Sequence, residues 1–283
     1  MHQCSIERYD LLHLWSNSIS MKKTYALMNL IVVVALIAWN YGANAIGING
    51  NTIGSLSDEY NSLFTPAGYA FSIWGLIFLG LIAHSIYQLR VVFSPGGEDA
   101  FVTRMGPWLI IANLGNAAWV FFWLKEFTGI SVVMMLIILL SLIIIIRKLN
   151  MEREDSPFGT IAWVWWPLGI YTGWIAVATI ANVAAYLSKT GWEFLFTGTT
   201  WTVIMIIVAT LLNMAMVRIR SMRDFALVGV WALLAIALRH QGNLPELFWT
   251  ALICASLLFL TVIAHWYRSR WGCPLVRRRQ QKK

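Results

Sequence analysis

The chain has 283 residues, of which 59% are hydrophobic and only 12% charged, and its net charge is +8. A soluble domain of this length needs polar side chains over its surface, with roughly a quarter of its residues charged, so a water-soluble globule is excluded. The positive charge alone could suggest nucleic acid, but the basic residues flank apolar segments, and no nucleic-acid partner is expected.

The runs 27–39, 130–146 and 202–212 are almost wholly apolar. Backbone groups in hydrocarbon must be satisfied internally, by helices or a closed barrel, and these runs are too continuous for the alternating strands of a barrel. Eight helical spans are therefore expected, near 24–44, 66–89, 106–124, 127–146, 160–187, 195–217, 225–239 and 246–266. Each is about 20 residues or slightly less, the length that crosses the bilayer core. The seventh is the shortest, and reads as a tilted or partly re-entrant helix.

Two features complicate the N-terminus. Met21-Lys22-Lys23 before an apolar run resembles a start, which would leave 1–20 untranslated. Ala43-Asn44-Ala45 resembles the small-residue site of a cleaved signal peptide. The segment is expected to be retained. With eight spans, eighteen of the 21 Lys and Arg fall on one side, and only Lys125, Lys189 and Arg239 on the other. That bias places both termini in the cytoplasm, with the tail Arg277–Lys283 as an anchor beside anionic lipid.

The motifs lie in the first five spans. After the first helix comes Phe64-Thr65-Pro66-Ala67-Gly68-Tyr69-Ala70-Phe71-Ser72-Ile73-Trp74, continuing to Phe78. The third span holds Asn116-Ala117-Ala118-Trp119-Val120-Phe121-Phe122, followed by Trp123. The fifth sets Tyr171, Trp174, Ala178 and Asn182 after Pro167. In this order they resemble the TspO/MBR family, the tryptophan-rich sensory or translocator proteins. The family's pattern is W-x-P-P-x-W-x-F, then N-x-x-W-x-x-x-F, then Y-x-x-W-x-x-x-A-x-x-x-N. Ala67 replaces one proline, aromatics replace two tryptophans, and one residue is missing between Phe71 and Trp74. The likeness covers 24 to about 187, and no counterpart is found for 190–283.

The expected architecture is an all-α integral membrane protein: a cytoplasmic segment 1–23, a TspO-like five-helix bundle 24–187, a three-helix extension 188–267 and a basic tail 268–283. The resemblance implies a cavity for porphyrins, sterol-like lipids or synthetic aromatics, a sensory or regulatory role, and, for some bacterial relatives, light-dependent porphyrin breakdown. The expected ligand-binding residues are Trp74, Asn116, Trp119, Tyr171, Trp174, Ala178 and Asn182. The implied ligand is a tetrapyrrole such as porphyrin or haem, with no cofactor required, and the expected location is a bacterial cytoplasmic membrane.

Read without the family, Tyr171, Trp174, Ala178, Asn182 and Ala185 are spaced by three or four and share a helix face. Such a face serves as a ligand wall or a helix contact, and Gly169 and Gly173 offer a competing packing face. For Asn116 and Asn182, the alternative to ligand contact is an interhelical hydrogen bond of about 0.6–2 kcal/mol. At about 1.5 Å per residue, Trp74 lies roughly 12 Å, Asn116 roughly 13 Å, Trp119 about 9 Å and Trp174 roughly 20 Å from the outer ends of their spans. All would share the outer half of the bilayer beneath the loop 47–64, which could form a lid. Trp108, Trp163, Trp165, Trp166, Trp192, Trp249, Trp266 and Trp271 are expected at the membrane interfaces.

No Asp, Glu, Lys or Arg lies in the interior of an expected span, which disfavours ion-coupled transport and retinal chemistry. His84 is a lone intramembrane histidine, read as packing rather than a haem ligand, while His240 and His265 should face headgroups. Cys4, Cys254 and Cys273 form no CxxC pair. There is no GxSxG, HExxH, P-loop or carboxylate pair, hence no visible hydrolytic, metal or phosphoryl-transfer motif. Three functions remain open: a receptor for apolar aromatics, a transporter or flippase for them, or a porphyrin-degrading activity. In the extension, Trp201, Asn213 and Trp231 could pack on the first bundle or form a homodimer face.

Overall fold

The computed structural model describes residues 2–60, 62–97, 99–191 and 197–269. Trp192, Trp271, Cys273 and the tail Arg277–Lys283 lie outside the described residues. Each of the eight expected segments is a helix: α1 (His2–Ile46), α3 (Ile73–Phe93), α5 (Trp108–Leu124), α6 (Thr128–Lys148), α8 (Trp166–Lys189), α9 (Gly198–Arg220), α10 (Arg223–His240) and α11 (Pro245–Ser269). Short helices α2 (Ile53–Glu59), α4 (Ala100–Met105) and α7 (Phe158–Thr160) join them. Among the described residues, six helical stretches are long and apolar enough to cross a membrane: Ser20–Ile46, Gly68–Phe93, Thr128–Lys148, Phe158–Lys189, Gly198–Arg220 and Pro245–Arg268. The 17-residue α5 is apolar but shorter.

Packing closes a ring in the order α1, α3, α8, α6, α5 and back to α1. Helices α9, α10 and α11 form a second group whose main contact with the ring is α10 on α8. Helix α8 is thus shared by two cores, with Leu168, Tyr171 and Trp174 in one, and Val177 and Ala184 in the other. In its apolar window 67% is buried, against 28% to 39% in the other five spans. The glycine face predicted to compete with the aromatic stripe is used on the opposite side of α8. Gly169 meets the Asp224 carboxylate, and a Cβ at Gly173 would lie 2.8 Å from the Phe225 carbonyl oxygen. Small residues let the two backbones approach this closely.

The basic residues gather at the end of the molecule away from α2. There Lys22 pairs with Asp99 (2.8 Å) and Arg104 with Glu154 (3.3 Å). Arg153 and Arg220 donate to the carbonyls of Ile219 (3.3 Å) and Ile146 (3.1 Å).

A π-helical turn (Ile161–Trp165) leads into α8. Pro167 has no N–H for the carbonyl four residues back, that of Trp163. His84 Nδ1 lies 3.1 Å from that oxygen, so the buried imidazole fills a vacancy created by the proline. Packing, as expected, is its role. Two interface expectations are corrected. Trp165 is 3% exposed and belongs to the core, because the π-helical turn rotates it inward. His240 is buried, its Nε2 2.8 Å from the Leu63 carbonyl oxygen, because the 62–72 segment folds over the end of α10. Trp163, Trp166, Trp249 and Trp266 remain exposed.

Gly173→Ala should destabilise the protein by about 1–3 kcal/mol, because the α8–α10 interface must spread. Gly42→Ala, whose Cβ meets nothing within 4 Å, should be neutral or stabilising by up to about 1 kcal/mol. Chemical unfolding in detergent compares them. His84→Leu should cost about 1–2 kcal/mol by stranding the Trp163 carbonyl. That cost should shrink when Pro167→Ala restores a donor, and equal costs in both backgrounds would refute the pairing.

Candidate functional site

The segment after α1 turns at Gly47, where φ is +71° and glycine is unstrained. Thr52 and Ser55 then cap α2 reciprocally: Thr52 Oγ1 accepts from Ser55 N (3.1 Å) and Ser55 Oγ from Thr52 N (2.8 Å). This short helix and the stretch through Pro66 close one end of a cavity, with Ile53, Ser57, Thr65 and Pro66 in its roof. The lid expected over 47–64 is present, and it extends to Pro66.

The walls are aromatic. Trp74 on α3 stacks against Trp119 on α5 (6.3 Å between centroids, 26°), and Trp119 against Trp123 (6.1 Å, 24°). Trp174 meets Trp74 edge-on at 6.4 Å and 84°. Ala178, Ala181, Asn182 and Ala185 continue the α8 wall towards the roof. The expected depths for Trp74 and Trp174 differed by several ångströms, yet their rings touch. The end of α8 stands beside the lid, with Ser188 Oγ donating to the Tyr60 carbonyl (2.9 Å) and Lys189 Nζ to Glu126 Oε2 (3.1 Å). The counts for Trp74 and Trp174 therefore started from different levels.

Five of the seven expected residues line the cavity: Trp74, Trp119, Trp174, Ala178 and Asn182. Asn116 and Tyr171 do not. They bond to each other across the α5–α8 contact, Asn116 Nδ2 donating to Tyr171 Oη at 3.1 Å, while Asn116 Oδ1 is buried without a partner. Asn182 does two things. Its Oδ1 accepts from Ser131 Oγ on α6 (3.1 Å), while its Nδ2 is buried without a partner. The indole Nε1 groups of Trp119 and Trp174 are likewise buried and unpartnered. Trp123, one helical turn beyond Trp119 on the same face, is a further wall residue that helical spacing from Trp119 could have indicated. For the roof residues Ile53, Ser57 and Thr65 the sequence carries no periodic signal.

The lid is fastened to α10. Ala67 N donates to the Ala235 carbonyl (3.1 Å), and Trp231 Nε1 to that of Ala70 (3.2 Å). Arg239 Nη1 reaches Asp58 Oδ1 at 2.7 Å, and Trp231 packs edge-on against Tyr69 (5.2 Å, 90°). The extension thus packs on the first bundle, and Trp231 is one of its anchors.

The enclosed space is only about 40 Å³. That is room for a water or two, whereas small-molecule sites run to about 300–1,000 Å³. A ligand of any size must push the walls apart.

Helices long and apolar enough to span a bilayer, arranged around a lidded aromatic cavity, define an integral multi-pass membrane protein. A family model described as TSPO-like protein matches residues 26–264, and the chain belongs to that family. The matched region runs through α9 and α10 into α11, beyond residue 187, where the motif likeness ended. Comparison with curated proteins and with solved structures gives no match.

Tyr171→Phe should cost about 1 kcal/mol, since it strands the Asn116 amide inside the membrane. Tyr171→Phe combined with Asn116→Leu should cost less than the two changes added separately. Strict additivity in a double-mutant cycle would show that the bond contributes nothing.

Proposed function

We propose that the chain is a receptor for flat, largely apolar aromatic ligands bearing hydrogen-bond acceptors, with tetrapyrroles such as porphyrin or haem the leading class. Its role is sensory or regulatory, in a bacterial cytoplasmic membrane with both termini cytoplasmic. The observation that carries this reading is the chemistry of the cavity. Its walls are stacked indoles, and the unpartnered polar groups on them are donors: Trp119 Nε1, Trp174 Nε1 and Asn182 Nδ2. Indole faces favour a flat π-system. Buried donors without partners are costly, and a ligand carboxylate or carbonyl would relieve that cost. The orientation is supported by the concentration of Lys and Arg at the end opposite the lid.

Titration of the purified protein with protoporphyrin, followed by tryptophan fluorescence, tests this. Saturable quenching is expected for the wild type. The double variant Trp174→Phe, Ala178→Thr removes one donor and adds bulk to the cavity, and should weaken binding by at least about tenfold, or 1.4 kcal/mol. Non-saturating quenching that is equal in both proteins would remove the proposal.

A further inference from the structure

A second cavity of about 290 Å³ lies between α1 and α3, on the other side of Trp74. Asn40, Asn44, Ser72, Gly75 and Phe78 line it, and Tyr41 stands at its rim, 63% exposed on the flank of the bundle. Ile53, Phe71 and Trp74 line both this groove and the aromatic cavity. Ile53 belongs to the roof, so Phe71 and Trp74 form the movable part of the wall that the two spaces share.

The partition and the lid are held very differently. The lid is tied to α10 by two hydrogen bonds to backbone carbonyls, the His240–Leu63 contact and the Arg239–Asp58 pair. Opening it would break these together. Among the described residues, the side chains of Ile53, Phe71 and Trp74 make ring and apolar contacts and no hydrogen bond. Trp74 is held by stacking on Phe78 (5.4 Å, 28°) and Trp119, and by edge contacts with Tyr171 (6.2 Å) and Trp174 (6.4 Å). Beside it, a side chain at Gly75 would meet nothing within 4 Å, so the groove has room for a displaced indole. With the partition swung aside, the two spaces join and reach the size of an ordinary small-molecule site.

We propose that ligand reaches the aromatic cavity sideways from the bilayer, through the α1–α3 groove, with Trp74 as the gate and the α10-fastened lid staying shut. The ligand class, an apolar aromatic dissolved in the membrane, rests on the receptor reading above. The groove receives the ligand first. The amide nitrogens of Asn40 and Asn44 bond to carbonyls of their own helix, those of Leu36 and Asn40 (each 3.0 Å). Ser72 is exposed at the mouth, where it can meet the ligand's polar edge.

The test uses a probe that does not depend on porphyrin binding. The full chain in liposomes is flash-photolysed with 3-trifluoromethyl-3-phenyldiazirine, a bilayer-soluble aromatic, at increasing times after mixing. Mass spectrometry then reads insertion at the cavity peptides around Trp119 and Ala178. Gly75→Phe on α3 and Gly54→Leu on α2 plug the groove from two separate elements, where an added Cβ is unobstructed. Each should slow cavity labelling by about tenfold. Arg239→Ala, which weakens the lid fastening, should leave the rate within about twofold. Labelling at the wild-type rate in both plugged variants would overturn lateral access, as would faster labelling in Arg239→Ala alone. A wild type that ignores protoporphyrin yet admits the diazirine by the groove would refute the receptor reading and leave the route standing.

Discussion

Everything in this molecule depends on helix α8 being packed on both faces. One face carries Gly169 and Gly173 and receives α10 at backbone contact, while the other carries Tyr171, Trp174, Ala178 and Asn182 into the ring of five helices. A membrane gives helices little hydrophobic reason to associate, so close packing and interhelical hydrogen bonds must hold them. The glycines supply the first of these. The Asn116–Tyr171 and Ser131–Asn182 bonds supply the second. The wall of the cavity is therefore the same element that joins the extension to the bundle.

The extension in turn shapes the site without lining it. Helix α10 reaches past α8 and grips the segment that roofs the cavity through Trp231, Ala235, Arg239 and His240. The exposed end of the Arg239–Asp58 pair makes it a weak contributor by itself. The backbone bonds beside it are shielded, and they fix the register of the roof. A roof held this firmly, over a space of about 40 Å³, is a closed arrangement.

Much of this was legible in the chain. Apolar runs of the right length located all eight long helices, since in hydrocarbon a segment must satisfy its own backbone. The three-and-four spacing on α8 located the face that lines the cavity, and five of seven expected residues meet around one space. Other features were out of reach. Asn116 and Tyr171 look like ligand groups from their residue types, and only the α5–α8 contact reveals that the Asn116 amide nitrogen bonds to the Tyr171 hydroxyl. Trp165 looked interfacial until the π-helical turn, which spacing rules for a regular helix do not foresee, rotated it into the core.

What the sequence by itself determined was the solvent, the helices and the aromatic face, because each depends on residues close together in the chain. The roof, the partition and the grip of α10 were decided by tertiary structure alone. Asp58 and Arg239 are 181 residues apart, and Ala67 and Ala235 meet through backbone atoms that carry no sequence signature. Contacts of that kind follow from how helices cross and which glycines let them approach, and local periodicity does not encode them.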